Sequence, residues 1–340
     1  MKTRKLGRSG PEVSEIGLGC MGMSGMYGPA DRDESIATIH AAVEAGVTLL
    51  DTGDFYGMGH NELLIRDALR GANRDNVLLS VKFGAMRAPS GAFVGVDARP
   101  AAVKSFLAYT LQRLGTDHVD IYRPARLDPN VPIEDTVGAI KEMIDAGHVR
   151  HLGLSEMGAE TIRRAHAVHP VVDLQIEYSL ISRSVEAEIL PTLRELGIGM
   201  TAYGVLSRGL LSSTPATGTG GPGDFRSHLP RFQGENLEHN LRLVDRLKEI
   251  GRERGASVAQ LAIAWAMSRG EDVVPLIGAR TRERLAEALG ALETPLSAEE
   301  LARIEEAVPP DAAAGDRYSA DQMAMLDSER GAAAMAAAAH

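Results

Sequence analysis

The chain has 340 residues, 44 % of them apolar, enough for one large core, and a single α/β barrel commonly fills this length. Its formal charge is −10, from 36 basic and 46 acidic residues, and no run of Lys or Arg forms a stripe that would track a phosphate backbone, which argues against a nucleic-acid partner. The single cysteine, Cys20, rules out an intramolecular disulfide, the polar start Met1-Lys2-Thr3-Arg4-Lys5 is no signal core, and no apolar run approaches the roughly 20 residues that span a bilayer, so the chain reads as cytoplasmic, with no membrane partner.

In chain order, the first strand-like run is Val13 to Leu18. Asp31 or Asp33 can cap a helix over Glu34 to Ala45, which Gly46 closes, and the apolar run Val47 to Leu50 follows. Then come Val77 to Val81, a helix from Pro100 to Leu114, Val119 to Tyr122, a helix from Ile133 to Ala146 with Pro132 near its start and Gly147 past its end, and Val149 to Leu154. Ala159 to Val168, Val171 to Ile176, Val185 to Leu196, Ile198 to Ala202 and Val273 to Ile277 continue the alternation. Such repetition needs parallel strands with crossover helices, and eight strand units in this length suit a closed barrel better than an open sheet. The expected fold is a (β/α)8 TIM barrel forming one domain over 1–310, with a short N-terminal β-hairpin and long loops at the C-terminal face.

Two segments break the alternation. Leu206 to Glu235, with Ser212-Ser213-Thr214-Pro215-Ala216-Thr217-Gly218-Thr219-Gly220-Gly221-Pro222-Gly223 at its centre, is too long and too poor in large side chains for a strand or helix; it reads as a mobile loop after the seventh strand, either a disordered insertion or a lid that orders over a ligand. The tail, 311–340, is almost wholly alanine from Ala332 to Ala339 and reads as partly disordered or frayed helix.

Gly17-Leu18-Gly19-Cys20-Met21-Gly22 matches the dinucleotide pattern G-x-G-x-x-G, but Ser24, Gly25, Gly28 and Pro29 follow and helical spacing begins only after Asp31. A helix must open at that loop for its N-terminus to meet a pyrophosphate. The glycines therefore read as a tight loop at the end of the first strand, where backbone can approach a ligand closely.

The chemistry concentrates where strands two and three run out into loops. Val47-Thr48-Leu49-Leu50-Asp51 closes an apolar run on an aspartate, Tyr56 follows five residues later, and Val77-Leu78-Leu79-Ser80-Val81-Lys82 ends on a lysine. A free tyrosine holds its proton to a pKa of about 10, and a neighbouring ammonium stabilises the phenolate and lowers that value. Lys82 is the candidate for that ammonium, and Asp51 beside it would keep it charged and fixed. Tyr56 could then donate a proton to a carbonyl oxygen as hydride arrives at carbon. The competing reading is a structural Asp51–Lys82 ion pair with Tyr56 a loop aromatic.

Asp51-Thr52-Gly53-Asp54-Phe55-Tyr56-Gly57 with Gly59 and Asn61-Glu62 resembles the D-T-A-x-x-Y-G-x-G-x-N-E segment of the aldo-keto reductase family. The resemblance runs from Arg4 to about Leu292 and includes Gly17 to Ser24, Lys82-Phe83-Gly84, Gly153-Leu154-Ser155, Gln175-Ile176-Glu177-Tyr178-Ser179 and Pro275-Leu276-Ile277-Gly278-Ala279-Arg280. It implies a (β/α)8 barrel, an NADPH-linked interconversion of carbonyls and alcohols, and catalytic Asp51, Tyr56 and Lys82 with Tyr56 as the acid. The family's fourth catalytic residue, a histidine at the end of strand four, is missing. Alignment of Asp120-Ile121-Tyr122-Arg123-Pro124-Ala125-Arg126-Leu127-Asp128-Pro129 on its flanks puts Ala125 at that position. Alanine can neither donate nor hold a proton, and losing one oriented donor lowers a rate by roughly a hundredfold or more. Arg123 lies on the same strand face as Ala125, two positions earlier, so that its guanidinium could approach the barrel mouth. His60 and His118 read as a loop histidine and a strand-start histidine. None of the ten histidines stands with Asp, Glu or Cys at metal-ligand spacing, so no metal is expected.

After the eighth strand comes Gly278-Ala279-Arg280-Thr281-Arg282-Glu283-Arg284. With Thr281 as N-cap, arginines crowd a helix start, against the macrodipole. Either an anion relieves that conflict, since backbone N–H groups and guanidinium forks both bind phosphate, or the segment is a solvated basic helix start offset by Glu283 and Glu287. The resemblance places the adenosine 2′-phosphate here, implying NADPH/NADP+ with Arg280 and Arg284 as contacts. It also assigns Ser155 and Gln175 to the nicotinamide amide, Tyr203 to stacking on the nicotinamide ring, and Gly22, Met23, Asp51 and Gly278 to the cofactor site. Glu156 stands where the family often has asparagine, and Gly204 where it often has serine. Tyr27, Phe55, Tyr56 and Ala125, together with Met23, Met86, Phe93 and Phe225, are candidates for an apolar substrate pocket. Two functions follow: a reductase converting an aldehyde or ketone to its alcohol, and, because of Ala125, a weak or inactive NADPH-binding module that senses redox state or docks a partner. Oligomeric state is not readable.

Overall fold

In a computed structural model, residues 1–71, 74–212, 214–217 and 224–330 are described. Two short strands, β1 (Thr3–Lys5) and β2 (Glu12–Ser14), form an antiparallel hairpin. Eight parallel strands then close a barrel: β3 (Gly17–Gly19), β4 (Leu49–Gly53), β5 (Leu78–Phe83), β8 (Val119–Pro124), β9 (Val149–Ser155), β10 (Val171–Glu177), β11 (Gly199–Tyr203) and β12 (Val273–Gly278), with β12 paired back onto β3. A second hairpin, β6 (Ala85–Arg87) and β7 (Phe93–Val96), is inserted after β5. The outer ring runs α1 (Arg32–Glu44), α2 (His60–Ala68), α3 (Pro100–Leu114), α4 (Ile133–Asp145), α5 (Ala159–Val168), α6 (Ile189–Leu196), α7 (Gly234–Arg254), α8 (Val258–Ser268) and α9 (Arg282–Leu289), followed by α10 (Ala298–Ala307) and α11 (Ala320–Ala324). Asp31 caps α1 by accepting from the Glu34 N–H at 2.7 Å, and Gly46 and Gly147 follow their helices with left-handed φ of 92° and 84°. Among the described residues no helix is long and apolar enough to cross a membrane.

One expected element divides. The run Val13 to Leu18 crosses from one sheet to another, β2 pairing with the N-terminus and β3 entering the barrel. Gly17 and Gly19 are strand residues and not a loop, which corrects the expectation for both. A Cβ on Gly17 would stand 2.7 Å from a Leu276 methyl and 3.0 Å from a Leu49 methyl, so a side chain here would have to displace both leucines.

Strand alternation sorts the barrel into layers. Leu18, Leu50, Leu79, Val81, Tyr122, Leu152, Leu174, Met200 and Ile277 point outward into the main core under the helices. Inside, Leu49, Ile121, Val274 and Leu276 pack with Leu6 and Val13 of the first hairpin, which plugs the N-terminal end. Two residues further along the same strands the lining turns polar, with Asp51, Ser80, Arg123, Asp173 and Thr201 all buried. The alternation that points Leu49 and Leu78 inward thus points Asp51 and Lys82 inward.

The described parts of the loop after β11 are packed, with Leu210, Leu211, Leu229 and Phe232 buried, and they cross to the β3 loop, where the Phe225 N–H donates to Met26 O at 3.4 Å. Its centre, Gly218 to Gly223, lies outside the described residues. The expected tail is, over residues 311–330, folded against the barrel: Gly158 N–H donates to Asp327 Oδ2 at 2.8 Å, and Tyr318 and Leu326 are buried. Ala332 to Ala339 lies outside the described residues.

Gly153 on β9 faces Arg123 across the polar layer, and a Cβ there would lie 2.8 Å from Asp173 Oδ1 and 3.1 Å from Arg123 Cζ. Gly153→Ala is therefore expected to lower stability by about 1–3 kcal/mol through overpacking, measured as a fall in the urea midpoint at unchanged slope; an unchanged midpoint would show that the layer yields.

Candidate active site

Asp51, the last but two residue of β4, is the hub. Lys82 on β5 forms an ion pair with Asp51 Oδ1, and Ser80 Oγ at 2.8 Å and Gln175 Nε2 at 2.6 Å both donate to Oδ2. Behind Ser80, Arg123 Nη2 donates to its hydroxyl at 2.9 Å while Nη1 pairs with Asp173 Oδ2 at 3.0 Å. Arginine only donates and a hydroxyl has one proton, so the directions are forced: Arg123 to Ser80, Ser80 to Asp51. Arg123 is fully buried and does not reach the mouth. The sequence reading that offered its guanidinium to the mouth is corrected: Asp173, buried beside it, draws the charge inward.

Tyr56 starts a tight turn, Tyr56–Gly59, in which Gly57, Met58 and Gly59 take φ of 57°, 51° and 93°. Asn61 anchors that turn: its Nδ2 donates to Cys20 O at 2.9 Å and Ser24 Oγ at 2.7 Å, and its Oδ1 accepts from Thr52 Oγ1 at 2.7 Å. The Lys82 ammonium lies 5.1 Å from the Tyr56 ring centroid, and Phe55 meets that ring edge-on at 4.8 Å. Burial pushes the Tyr56 phenol well above its ordinary value and the Asp51 charge adds to this; the largest charge pulling it down is that of Arg126. The sequence reading gave that part to Lys82. Burial lowers the Lys82 ammonium, which Asp51 opposes, so the pair is largely spent on itself.

Ala125 is buried, its N–H donating to Phe83 O at 2.8 Å. Arg126 folds back over it, Nη1 donating to Ala125 O at 2.6 Å and Nη2 to the Tyr318 hydroxyl at 3.4 Å. Tyr318 is also bonded to the Tyr203 hydroxyl at 2.9 Å. Tyr203 ends β11 and donates to Glu156 Oε1 at 2.6 Å. Burial would raise the Glu156 carboxyl, yet the charge and hydrogen bonds of Arg317 hold it far below the carboxylate range, with help from Arg126 and Tyr203. Neither Arg126 nor Tyr318 was singled out by sequence. Arg126 was legible as the neighbour of the missing histidine; nothing local marks Tyr318, 115 positions beyond Tyr203.

The residues expected to hold a nicotinamide cofactor line one side of this mouth. The buried Ser155 hydroxyl has no hydrogen-bond partner among the described residues, an orphan that a carboxamide would satisfy. Gln175 is partly committed, its amide donating to Asp51. A Cβ on Gly278 would meet nothing within 4 Å, whereas Gly22 approaches Arg280 and Met23 is buried. Thr281 caps α9, its side chain accepting from the Arg284 N–H at 3.3 Å. Arg282 is paired with Glu34 at 2.9 Å; among the described residues Arg280 and Arg284 form no ion pair, and Arg280 Nη1 reaches the carbonyls of Tyr27 at 3.3 Å and Pro29 at 3.1 Å. Tyr27 lies beneath Arg226 at 5.3 Å, its phenol pushed up by burial to about 12. His60 bonds Ser24 Oγ, and His118 precedes β8 beside Asp117. Among the described residues no His, Cys, Asp or Glu cluster could hold a metal ion.

Asp54, between hub and turn, is nearly buried. Burial, then the charge of Glu62, pushes its carboxyl up to about 7, and Asp54 Oδ2 and Glu62 Oε1 have no hydrogen-bond partner among the described residues. The folded protein therefore holds a proton that the unfolded chain releases near 3.8, so this group's contribution is full below that value and is lost as pH rises through about 7. Asp54→Asn should match the wild-type Tm at about pH 4 and exceed it by a few degrees at about pH 8; parallel profiles for the two proteins would contradict this.

The model of the Aldo/keto reductase family matches residues 15–309 of the chain. A probable aldo-keto reductase 1 of Glycine max is 40 % identical over 315 residues, 92 % of this chain and 91 % of that protein. Among solved structures, a glycerol dehydrogenase of Gluconobacter oxydans superposes with a TM-score of 0.81 at 28 % identity, covering 90 % of this chain and 94 % of its own. The holo form of an aldo-keto reductase of Bacillus halodurans gives 0.75 at 28 % identity, covering 91 % and 96 %.

Proposed function

Because this chain belongs to the aldo/keto reductase family, whose members are NAD(P)H-dependent oxidoreductases of small carbonyl compounds, we propose that it reduces an aldehyde or ketone to the alcohol with NADPH, Tyr56 acting as general acid supported by Lys82 and Asp51. The observation that carries this reading is the Asp51–Lys82 ion pair set 5.1 Å beneath the ring of Tyr56, at the open end of the barrel.

When bound, the reduced nicotinamide supplies the hydride. Ser155, Gln175 and Tyr203 would hold that end, and Arg280 and Arg284, which form no ion pair among the described residues, the adenosine 2′-phosphate; Gly22, Met23 and Gly278 border the site. The protein's part is proton transfer. A phenol raised by burial keeps its proton in the resting enzyme and releases it only to a stronger base, which a carbonyl oxygen becomes as it gains negative charge. Lys82 then faces the phenolate, and its tie to Asp51, which opposes the effect of burial, keeps the ammonium charged and in place to meet the new charge. Phe55 and Tyr27 wall the approach, and Ala125 leaves beside Tyr56 a position that neither donates nor blocks.

Tyr56→Phe keeps the ring and removes the proton, and should lower kcat for carbonyl-dependent NADPH oxidation by roughly a hundred- to ten-thousandfold. Equal turnover by wild type and variant, or none by either across a broad aldehyde and ketone panel, would defeat the reading in favour of a cofactor-binding module. Arg284→Ala should raise the KM for NADPH by about tenfold, the worth of one charge-assisted phosphate contact, and leave that for NADH near wild type; an equal rise for both would remove the 2′-phosphate from this helix start.

A further inference from the structure

The charges around the mouth do not balance locally. Asp51 is taken by Lys82, Glu177 by Arg208 at 2.9 Å, and Glu156 by Arg317 at 2.6 Å. Two guanidinia are left over on the Tyr56 side. Arg87 lies 5.9 Å over the Phe55 ring with its Nη1 on Gly91 O at 3.2 Å, and Arg126 bonds Ala125 O and the Tyr318 hydroxyl and lies 5.9 Å over the Tyr318 ring. Among the described residues neither forms an ion pair. The excess is positive although the whole chain carries −10.

A guanidinium partly withdrawn from water without a carboxylate is unfavourable unless something supplies the counter-charge. Burial works against the Arg126 charge, and Tyr318, Tyr203 and then the Glu156 carboxylate outweigh it, holding the guanidinium above its ordinary value; the two Glu156 oxygens, however, already accept from Arg317 at 2.9 and 2.6 Å, from Tyr203 at 2.6 Å and from the Ser328 hydroxyl at 2.8 Å. Arg126 uses two of its five N–H groups on protein acceptors, so a planar two-oxygen ligand can still be met. Its carbonyl bond to Ala125 and its contact with Tyr318 hold the fork at the position where Ala125 offers nothing. Arginine cannot give up its proton, so it binds and orients and leaves acid chemistry to Tyr56.

Building on the carbonyl-reductase reading, we infer that Arg126, steadied by Tyr318, is a specificity-determining residue that receives a carboxylate carried by the substrate, and that the preferred substrates are oxo-acids whose aldehyde or ketone faces Tyr56. The apolar walls Phe55 and Tyr27 accommodate the body of such a molecule, and Arg87 adds long-range attraction at the rim.

The test compares 4-carboxybenzaldehyde with its methyl ester at saturating NADPH, using wild type, Arg126→Met and Arg126→Lys. Wild type should favour the acid over the ester in kcat/KM, and Arg126→Met should reduce that ratio by roughly ten- to a hundredfold, through KM, with Arg126→Lys recovering part of it. A wild-type ratio near unity, or a loss in Arg126→Met that falls equally on acid and ester, overturns the inference. Benzoate and benzamide binding to the NADP+-saturated protein gives a readout independent of turnover, and separates a substrate anion from the cofactor's own phosphates. If no carbonyl is reduced yet benzoate binds and Arg126→Met abolishes this, the reductase reading fails and the anion site stands; if benzoate binds no better than benzamide, the anion site fails whatever the turnover.

Discussion

A guanidinium sealed from water ties the barrel interior together. Arg123 pairs with Asp173 and reaches Leu154 O at 3.3 Å, Thr201 Oγ1 at 3.4 Å and Ser80 Oγ at 2.9 Å, which joins β5, β8, β9, β10 and β11 in one layer. Replacing such a pair with apolar residues is often neutral, but removing one member strands a charge in the interior. The layer therefore behaves as a unit. Gly153 belongs to it by having no side chain, since a Cβ would press on Asp173 Oδ1 at 2.8 Å and on the guanidinium carbon at 3.1 Å.

The geometry around Asp51 is inherited from that unit. Ser80 accepts from Arg123 and so must spend its proton on Asp51; with one Asp51 oxygen fixed by Ser80 and Gln175, the other faces Lys82. Each bond leaves a single direction for the next, so the ammonium arrives beneath Tyr56 with little rotameric freedom. Such preorganisation is what a charge-stabilising site requires. The Tyr56 turn is a separate device, held by left-handed backbone and by Asn61 from the far side, and the site is where the two meet.

Periodicity made the barrel legible because inward and outward positions alternate with opposite chemistry. The same rule put Asp51 and Lys82 on the inner face, and helix capping rules found Asp31 and Thr281. Three things escaped. The run Val13 to Leu18 keeps one pattern while changing sheet, because both faces it meets are apolar. Arg123 has the right face at the wrong depth: its partner Asp173 lies 50 positions on, and an alternation rule carries no information about how far a long side chain bends. Tyr318 sits in a segment of small and polar residues that gives no periodic signal, yet three cations, Arg126, Arg208 and Arg317, lie against its ring at 5.9, 4.6 and 5.4 Å. A single aromatic in a polar tail becomes structural here through partners far back in the chain, Arg126, Tyr203 and Arg208 among them, and composition cannot anticipate those.

Ala125 looks like a loss when the strand end is read alone, and its neighbours change that meaning. An imidazole at this position combines two abilities, donating a hydrogen bond and exchanging a proton near neutral pH. On the proposed reading, with Ala125 and Arg126 the first ability would pass to a permanent cation and the second would be absent. A fixed positive charge lowers the Tyr56 phenol at every pH, whereas an imidazolium would do so only while protonated. It also attracts any anion that enters, which a neutral imidazole does not. On the proposed reductase reading, exchanging an adjustable donor for a constant charge would leave Tyr56 as the sole acid and move discrimination from the carbonyl oxygen to the remainder of the substrate.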